Sequence, residues 1–161
     1  MNPVFTYECN DFDVRRCEEF TKNLEIEKGN WKKVNNFSDS KLIMINIMGK
    51  LGEIAVAKYL QSLGFFAAEP DYEIYPRGKK SFAADITLPG STGIHIKTQN
   101  VVLGRKYGTS WIFNTRDTAI KSPGHDLGIF CSFRDGNKRL GRQPIVNVVS
   151  CVAMTSLKEL F

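Results

Sequence analysis

Between Phe82 and Asn100 the chain reads FAADITLPGSTGIHIKTQN, with apolar and polar positions alternating on both sides of a turn. Ala84, Ile86 and Leu88 fall on one face and Asp85 and Thr87 on the other, following the two-residue period of a strand. Pro89, Gly90, Ser91, Thr92 and Gly93 supply turn chemistry, after which Ile94, Ile96 and Thr98 alternate with His95, Lys97 and Gln99. The pattern predicts a hairpin. If its apolar faces pack together on a core, Asp85 shares a face with His95, Lys97 and Gln99, bringing a carboxylate, an imidazole, an ammonium and an amide together.

The other elements follow from period and punctuation. A first helix is expected over roughly Asp11 to Asn23, with Phe12, Val14, Cys17 and Phe20 as its apolar stripe and Asn10 or Asp11 as its cap. Ser38, Asp39 and Ser40 before the segment and Gly64 after it predict the longest helix over Lys41 to Leu63. Leu42, Ile45, Met48, Leu51, Ala55, Val56, Tyr59 and Leu60 give this helix a very wide apolar surface, so it should be substantially buried. Glu53 lies at the edge of that surface and needs a partner. Lys50 could pair with it. Phe65 to Ala68 read as a strand, as do Leu127 to Phe133 and Ile145 to Met154. Thr115 to Lys121 is a short, poor helix candidate, and Leu157 to Phe161 a short closing helix. The chain shows no internal repeat, low-complexity tract or linker.

Composition narrows the class. At 161 residues, with 42% hydrophobic and 24% charged positions, the chain suits one domain with a real core. Within it, residues 1–37 form an acidic helix and loop and residues 38–161 the core. The longest apolar stretch is interrupted by Lys50, Glu53 and Lys58, and the N-terminus lacks a basic-then-apolar signal pattern, so a cytoplasmic protein without membrane contact is expected. Cys9, Cys17, Cys131 and Cys151 are widely spaced with no CxxC pair, which points to buried thiols rather than a zinc knuckle or disulfide framework.

Charge is unevenly spread. The whole net charge of +5 comes from residues 81–161, whereas residues 1–27 hold seven acids against three bases. A basic half favours a polyanionic partner through counterion release, and an acidic arm should dock on the core, pair subunits or shield the basic face. The candidate nucleic-acid contacts are Arg77, Lys79 and Lys80, then Arg105 and Lys106, then Lys138, Arg139 and Arg142. Trp31 and Tyr107 could stack on bases. His125 in its loop is a weaker catalytic candidate.

An Asp, a Gly-containing turn and a strand with a Lys flanked by apolar residues resemble the core of PD-(D/E)xK nucleases. In that superfamily a helical Glu comes first, and Glu53, Asp85 and Lys97 follow the same order. The family's second acid would lie two residues before the lysine, where this chain has His95. A literal Pro70-Asp71 pair also occurs, but Asp85 is joined to the lysine strand by one short turn and is the better match. The helix expected after the lysine strand is a second departure.

The resemblance implies an α/β fold with a restriction-endonuclease-like core, a central mixed β-sheet flanked by helices. It implies a metal-dependent endonuclease acting on DNA with Mg²⁺ or Mn²⁺. Asp85 would be the central metal ligand, Glu53 a second and the Ile96 carbonyl a third. Lys97 would orient or activate the attacking water, and Gln99 could position water or a phosphate oxygen. His95 could ligate a transition ion, act as a base, contact DNA or mark a weakened site. A homodimer would suit double-strand cutting by symmetry. Two other classes stay open: a non-catalytic nucleic-acid-binding module on a degenerate nuclease fold, and a small self-associating interaction protein.

Overall fold

The computed structural model describes residues 2–27, 39–75, 84–102, 126–134 and 144–154. Its elements are strand β1 (Phe5–Glu8), helix α1 (Asp11–Glu27), helix α2 (Asp39–Ser62) and strands β2 (Ile86–Leu88), β3 (Thr92–Asn100), β4 (Leu127–Phe133) and β5 (Ile145–Ala153). The strands form one sheet in the order β1-β5-β4-β3-β2. β3 and β4 run parallel and the other neighbours antiparallel, which makes the fold α/β with a mixed sheet.

Helix α1 starts where two side chains and two amides satisfy one another. The Asp13 amide donates to Asn10 Oδ1 at 2.9 Å and the Asn10 amide donates to Asp13 Oδ2 at 3.2 Å, a reciprocal cap built from Asn and Asp. The Tyr7 hydroxyl also donates to Asp13 Oδ2, at 2.7 Å, tying β1 to the helix start. The apolar stripe expected on α1 is corrected at Phe12. Phe12 is 62% exposed, with the Arg16 guanidinium over its ring, while the inward face carries Asp13, Cys17 and Thr21. Asp13 can be buried because its carboxylate is hydrogen-bonded.

α2 follows the wide apolar surface read from its sequence except at Ile45, which is 41% exposed. Leu51, Ile54, Ala55, Val56 and Leu60 are buried, and they join Ile94, Ile96, Ile129, Cys131, Phe133, Val146 and Val148 in one core. The helix ends as a Schellman turn: Gly64 takes φ +86°, its amide donates to the Gln61 carbonyl at 3.0 Å, and the Phe65 amide donates to the Leu60 carbonyl at 3.0 Å. This geometry overturns the strand expected over Phe65 to Ala68, because residues 65–75 run without strand pairing. The Phe65 amide is consumed by the helix end, and the Ala67 carbonyl accepts from the Gln61 side chain. Phe66 projects outward, 78% exposed.

The hairpin forms with the register Ile86↔Ile94, Thr87↔Gly93 and Leu88↔Thr92. β2 is only three residues long, so Ala84 and Asp85 stand just ahead of it rather than in it. Gly90 and Ser91 both take positive φ in the turn. Asp126 pins the hairpin to β4: its carboxylate accepts from the Gly93 amide and its own amide donates to the Gly93 carbonyl, each at 2.7 Å. β4 is buried on both faces, as its continuous apolar run requires.

α2 lies across β3 on the face carrying Ile94, Ile96 and Thr98. Gly52 permits this approach, since a Cβ there would collide with the Thr98 hydroxyl. Helix α1 packs on α2 rather than directly on the sheet. The helix of the acidic arm therefore docks on α2. No described helix is long and apolar enough to cross a membrane.

Candidate functional site

Asp85 stands where the β2–β3 ladder ends. Its Oδ2 accepts the Ile96 amide at 2.7 Å, a ladder donor that β2 no longer reaches, and the same oxygen accepts from His95 Nδ1 at 2.9 Å. The hairpin register continued by one step sets Asp85 opposite His95, so the alternation explains their meeting. Burial works to raise the Asp85 carboxyl, but the His95 hydrogen bond and charge, the Ile96 amide and Lys50 outweigh it and hold it below its ordinary value. Its side chain keeps 29% exposure, enough to meet an incoming group.

In an antiparallel pair a residue's N–H and C=O point to the same edge. The Ile96 amide is turned toward Asp85, so the Ile96 carbonyl shares that edge.

Glu53 comes from α2, on the core side of the sheet. Its Oε2 accepts from Lys50 Nζ at 2.7 Å, and the two side chains are 13% and 16% exposed. Burial, helped by the charges of Asp85 and Asp71 and opposed by Lys50, pushes the Glu53 carboxyl up to about 7. Glu53 and Asp85 thus lie within electrostatic reach of each other. Asp71 contributes from the segment after α2; its carboxylate accepts from the Glu73 amide at 2.8 Å and the Tyr75 hydroxyl at 2.6 Å.

Two aromatic rings complete the setting. The Lys50 ammonium lies 5.3 Å from the Phe20 ring centroid and 5.8 Å from that of Tyr72. Phe20 and Tyr72 meet edge to face at 5.8 Å, and the Arg16 guanidinium lies 4.3 Å from the Tyr72 centroid while pairing with Glu69. Helix α1 is therefore tied over the acid pair through Arg16 and Phe20.

The sequence-predicted residues are only partly gathered. Asp85, His95 and the Ile96 backbone meet, and Glu53 is close enough to feel Asp85. Lys97 and Gln99 follow His95 in the alternation and share its face of β3, opposite the face on which Thr98 meets Gly52 of α2, the helix that carries Glu53. Lys97 is registered against Phe130 of β4, which is buried there. The eight basic residues named as nucleic-acid contacts, Arg77, Lys79, Lys80, Arg105, Lys106, Lys138, Arg139 and Arg142, lie outside the described residues, as do Trp31, Tyr107, His125 and the short helices expected over Thr115 to Lys121 and Leu157 to Phe161. What sequence reasoning undervalued was Lys50, seen only as a simple ion-pair partner of Glu53, and the aromatic pair around it. Its position three residues before Glu53 on a helix was the available signal.

The donors suit a hard divalent cation better than zinc, being two carboxylates and a peptide carbonyl rather than thiolates and imidazoles. Burial and neighbouring negative charge leave Glu53 short of compensation, which a cation between the acids would supply. No group of three or more His, Cys, Asp and Glu side chains among the described residues is arranged to hold a metal ion. No protein-family model, curated protein or solved structure matches the chain.

Proposed function

We propose that the protein is a metal-dependent endonuclease that hydrolyses DNA phosphodiester bonds, on a restriction-endonuclease-like core. The observation that carries the reading is Asp85, fixed at the hairpin edge by His95 and the Ile96 amide, with the largely covered Glu53 within its electrostatic reach. Two acids from a core helix and a hairpin, followed by a strand lysine, are what the resemblance to PD-(D/E)xK nucleases asks for.

Asp85, Glu53 and the Ile96 carbonyl would hold Mg²⁺ or Mn²⁺. A divalent ion so held supplies Lewis-acid stabilisation of phosphate charge and a more acidic water. The chain's own groups do the rest. His95 orients the Asp85 carboxylate through its Nδ1 hydrogen bond, leaving the other carboxylate oxygen for a ligand. Lys97 and Gln99, on the face of β3 that His95 shares, would act on the phosphate or the attacking water. The basic C-terminal half draws in the polyanion by counterion release.

A second reading, a nucleic-acid-binding module without cleavage, is favoured by one observation. Both acids already hold protein partners, Glu53 the Lys50 ammonium and Asp85 the His95 ring. Cleavage of supercoiled plasmid and of single-stranded DNA with Mg²⁺, Mn²⁺ or EDTA separates the two. The nuclease reading expects metal-dependent cutting, lost in Asp85→Ala and Lys97→Ala. Salt-sensitive DNA binding with no cutting in either metal would establish the binding module instead.

A further inference from the structure

We propose that Lys50 is the resident counter-ion of the Glu53–Asp85 acid pair, which a divalent cation must displace, so that Lys50 sets the affinity of the site for metal. The inference rests on the metal reading above and adds a residue that the resemblance does not supply.

The geometry is that of an internal cation. The ammonium is 2.7 Å from Glu53 Oε2, with both side chains largely withdrawn from water. Its field reaches Asp85 and Asp71 as well as Glu53, so one positive charge serves three carboxylates. Phe20 of α1 and Tyr72 hold it on the aromatic side at 5.3 and 5.8 Å. Cation–π attraction and the carboxylate together give the ammonium a defined seat rather than a solvated surface position.

A metal ion bound by Glu53 would need roughly 2.0–2.6 Å to a carboxylate oxygen. An ammonium already on that carboxylate lies within a few ångströms of any such position, and two cations at that separation repel strongly in a dry site. Because Lys50 and Glu53 share one helix, displacement takes only a change of rotamer on a four-carbon stem. The ammonium then leaves the rings of Phe20 and Tyr72. Without metal, Lys50 offsets the repulsion between two neighbouring, partly buried acids, which accounts for a lysine in so apolar a helix.

The test is direct titration of the full chain with Mn²⁺, following free Mn²⁺ by electron paramagnetic resonance, for wild type, Lys50→Met, Lys50→Arg and Asp85→Asn. Lys50→Met is expected to bind Mn²⁺ about tenfold or more tightly than wild type. Lys50→Arg should stay near wild type, and Asp85→Asn should lose binding, which locates the ion. Since Lys50→Met strands Glu53 and could cost the fold, a second readout uses wild type alone. In protein carrying ¹³C-lysine, the Lys50 Cε resonance, assigned by its loss in Lys50→Arg, should lose its aromatic ring-current shift as Mg²⁺ saturates the site.

Equal or weaker Mn²⁺ binding by folded Lys50→Met, or a Lys50 resonance that stays put while Mg²⁺ binds, overturns the counter-ion role and leaves the metal reading standing. Absence of binding by both wild type and Lys50→Met at millimolar Mn²⁺ overturns both.

Discussion

Gly52 of α2 rests on the Thr98 side chain of β3 so closely that no Cβ fits between them. This contact sets the height of the helix over the sheet one residue before Glu53. Gly52→Ala should therefore cost about 1–3 kcal/mol by overpacking, despite alanine's better helix propensity. Gly49, one turn earlier, has nothing within 4 Å of a built Cβ, so Gly49→Ala should be neutral or stabilise by up to about 1 kcal/mol. Urea denaturation of both variants, and of Gly52→Ala combined with Thr98→Ala, checks the assignment. The double variant should recover part of the loss, because the colliding hydroxyl is gone.

Much of this arrangement was legible in the sequence because it depends on short-range periodicity. The long helix and the Asp85–His95 hairpin follow from repeats of 3.6 or 2 with clear turn residues, and the β4 and β5 strands from short apolar runs. The failures have local causes. Buried Asp13 and Thr21 disguise the inward face of α1, and Phe12, apolar yet exposed, suggests the wrong stripe. Phe65 to Ala68 have strand-like composition, but their backbone groups are drawn into the end of α2. Two chemical relationships needed three dimensions. Lys97 and Gln99 alternate with Thr98 and so face away from α2, which only the docking side of the helix could reveal. The aromatic rings at Lys50 come from Phe20 and Tyr72, distant in sequence and joined only by packing.

Asp13 is a buried carboxylate satisfied by the Asn10 amide and the Tyr7 hydroxyl. Asp13→Ala removes the reciprocal cap and leaves the Tyr7 hydroxyl without this partner, so a loss of about 1–3 kcal/mol is expected. Tyr7→Phe alone should cost less, and in the Asp13→Ala background nearly nothing. A double-mutant cycle by denaturation measures that coupling; additive losses would show that the hydroxyl and the carboxylate act independently.

Glu53 makes the metal-free fold sensitive to pH. Its carboxyl titrates near 4.5 when unperturbed and is pushed up to about 7 in the folded chain, chiefly by burial. The folded state thus holds this proton more tightly than the unfolded state does. The resulting stability is fully present below about pH 4.5 and is lost as the pH rises through about 7, at most about 3 kcal/mol. Asp85, whose pKa is lowered, acts in the opposite sense and below its ordinary value of 3.8, outside this window. In EDTA, urea midpoints should fall from pH 4.5 to 7.5, with a flatter profile for Glu53→Gln, which keeps an acceptor for Lys50 but cannot ionise. An unchanged slope in Glu53→Gln would assign the dependence to other groups.

The four cysteines should divide into one reactive thiol and three silent ones. Burial pushes the Cys9, Cys17 and Cys131 thiols up to about 12, leaving on the order of one in ten thousand as thiolate near pH 8, and their burial also blocks the reagent. Cys151 is exposed at the end of β5, though burial of its surroundings raises its thiol somewhat. Ellman's reagent should modify one thiol per native chain quickly and all four after denaturation. Cys151→Ser should remove the fast phase. Raising the pH to about 10 should leave the other three unmodified, since it still lies below their titration. Their slow reaction should follow the rate of unfolding, and any native-state reaction faster than that would show that the α1–α2 interface around Cys17, or the sheet around Cys131, opens on its own.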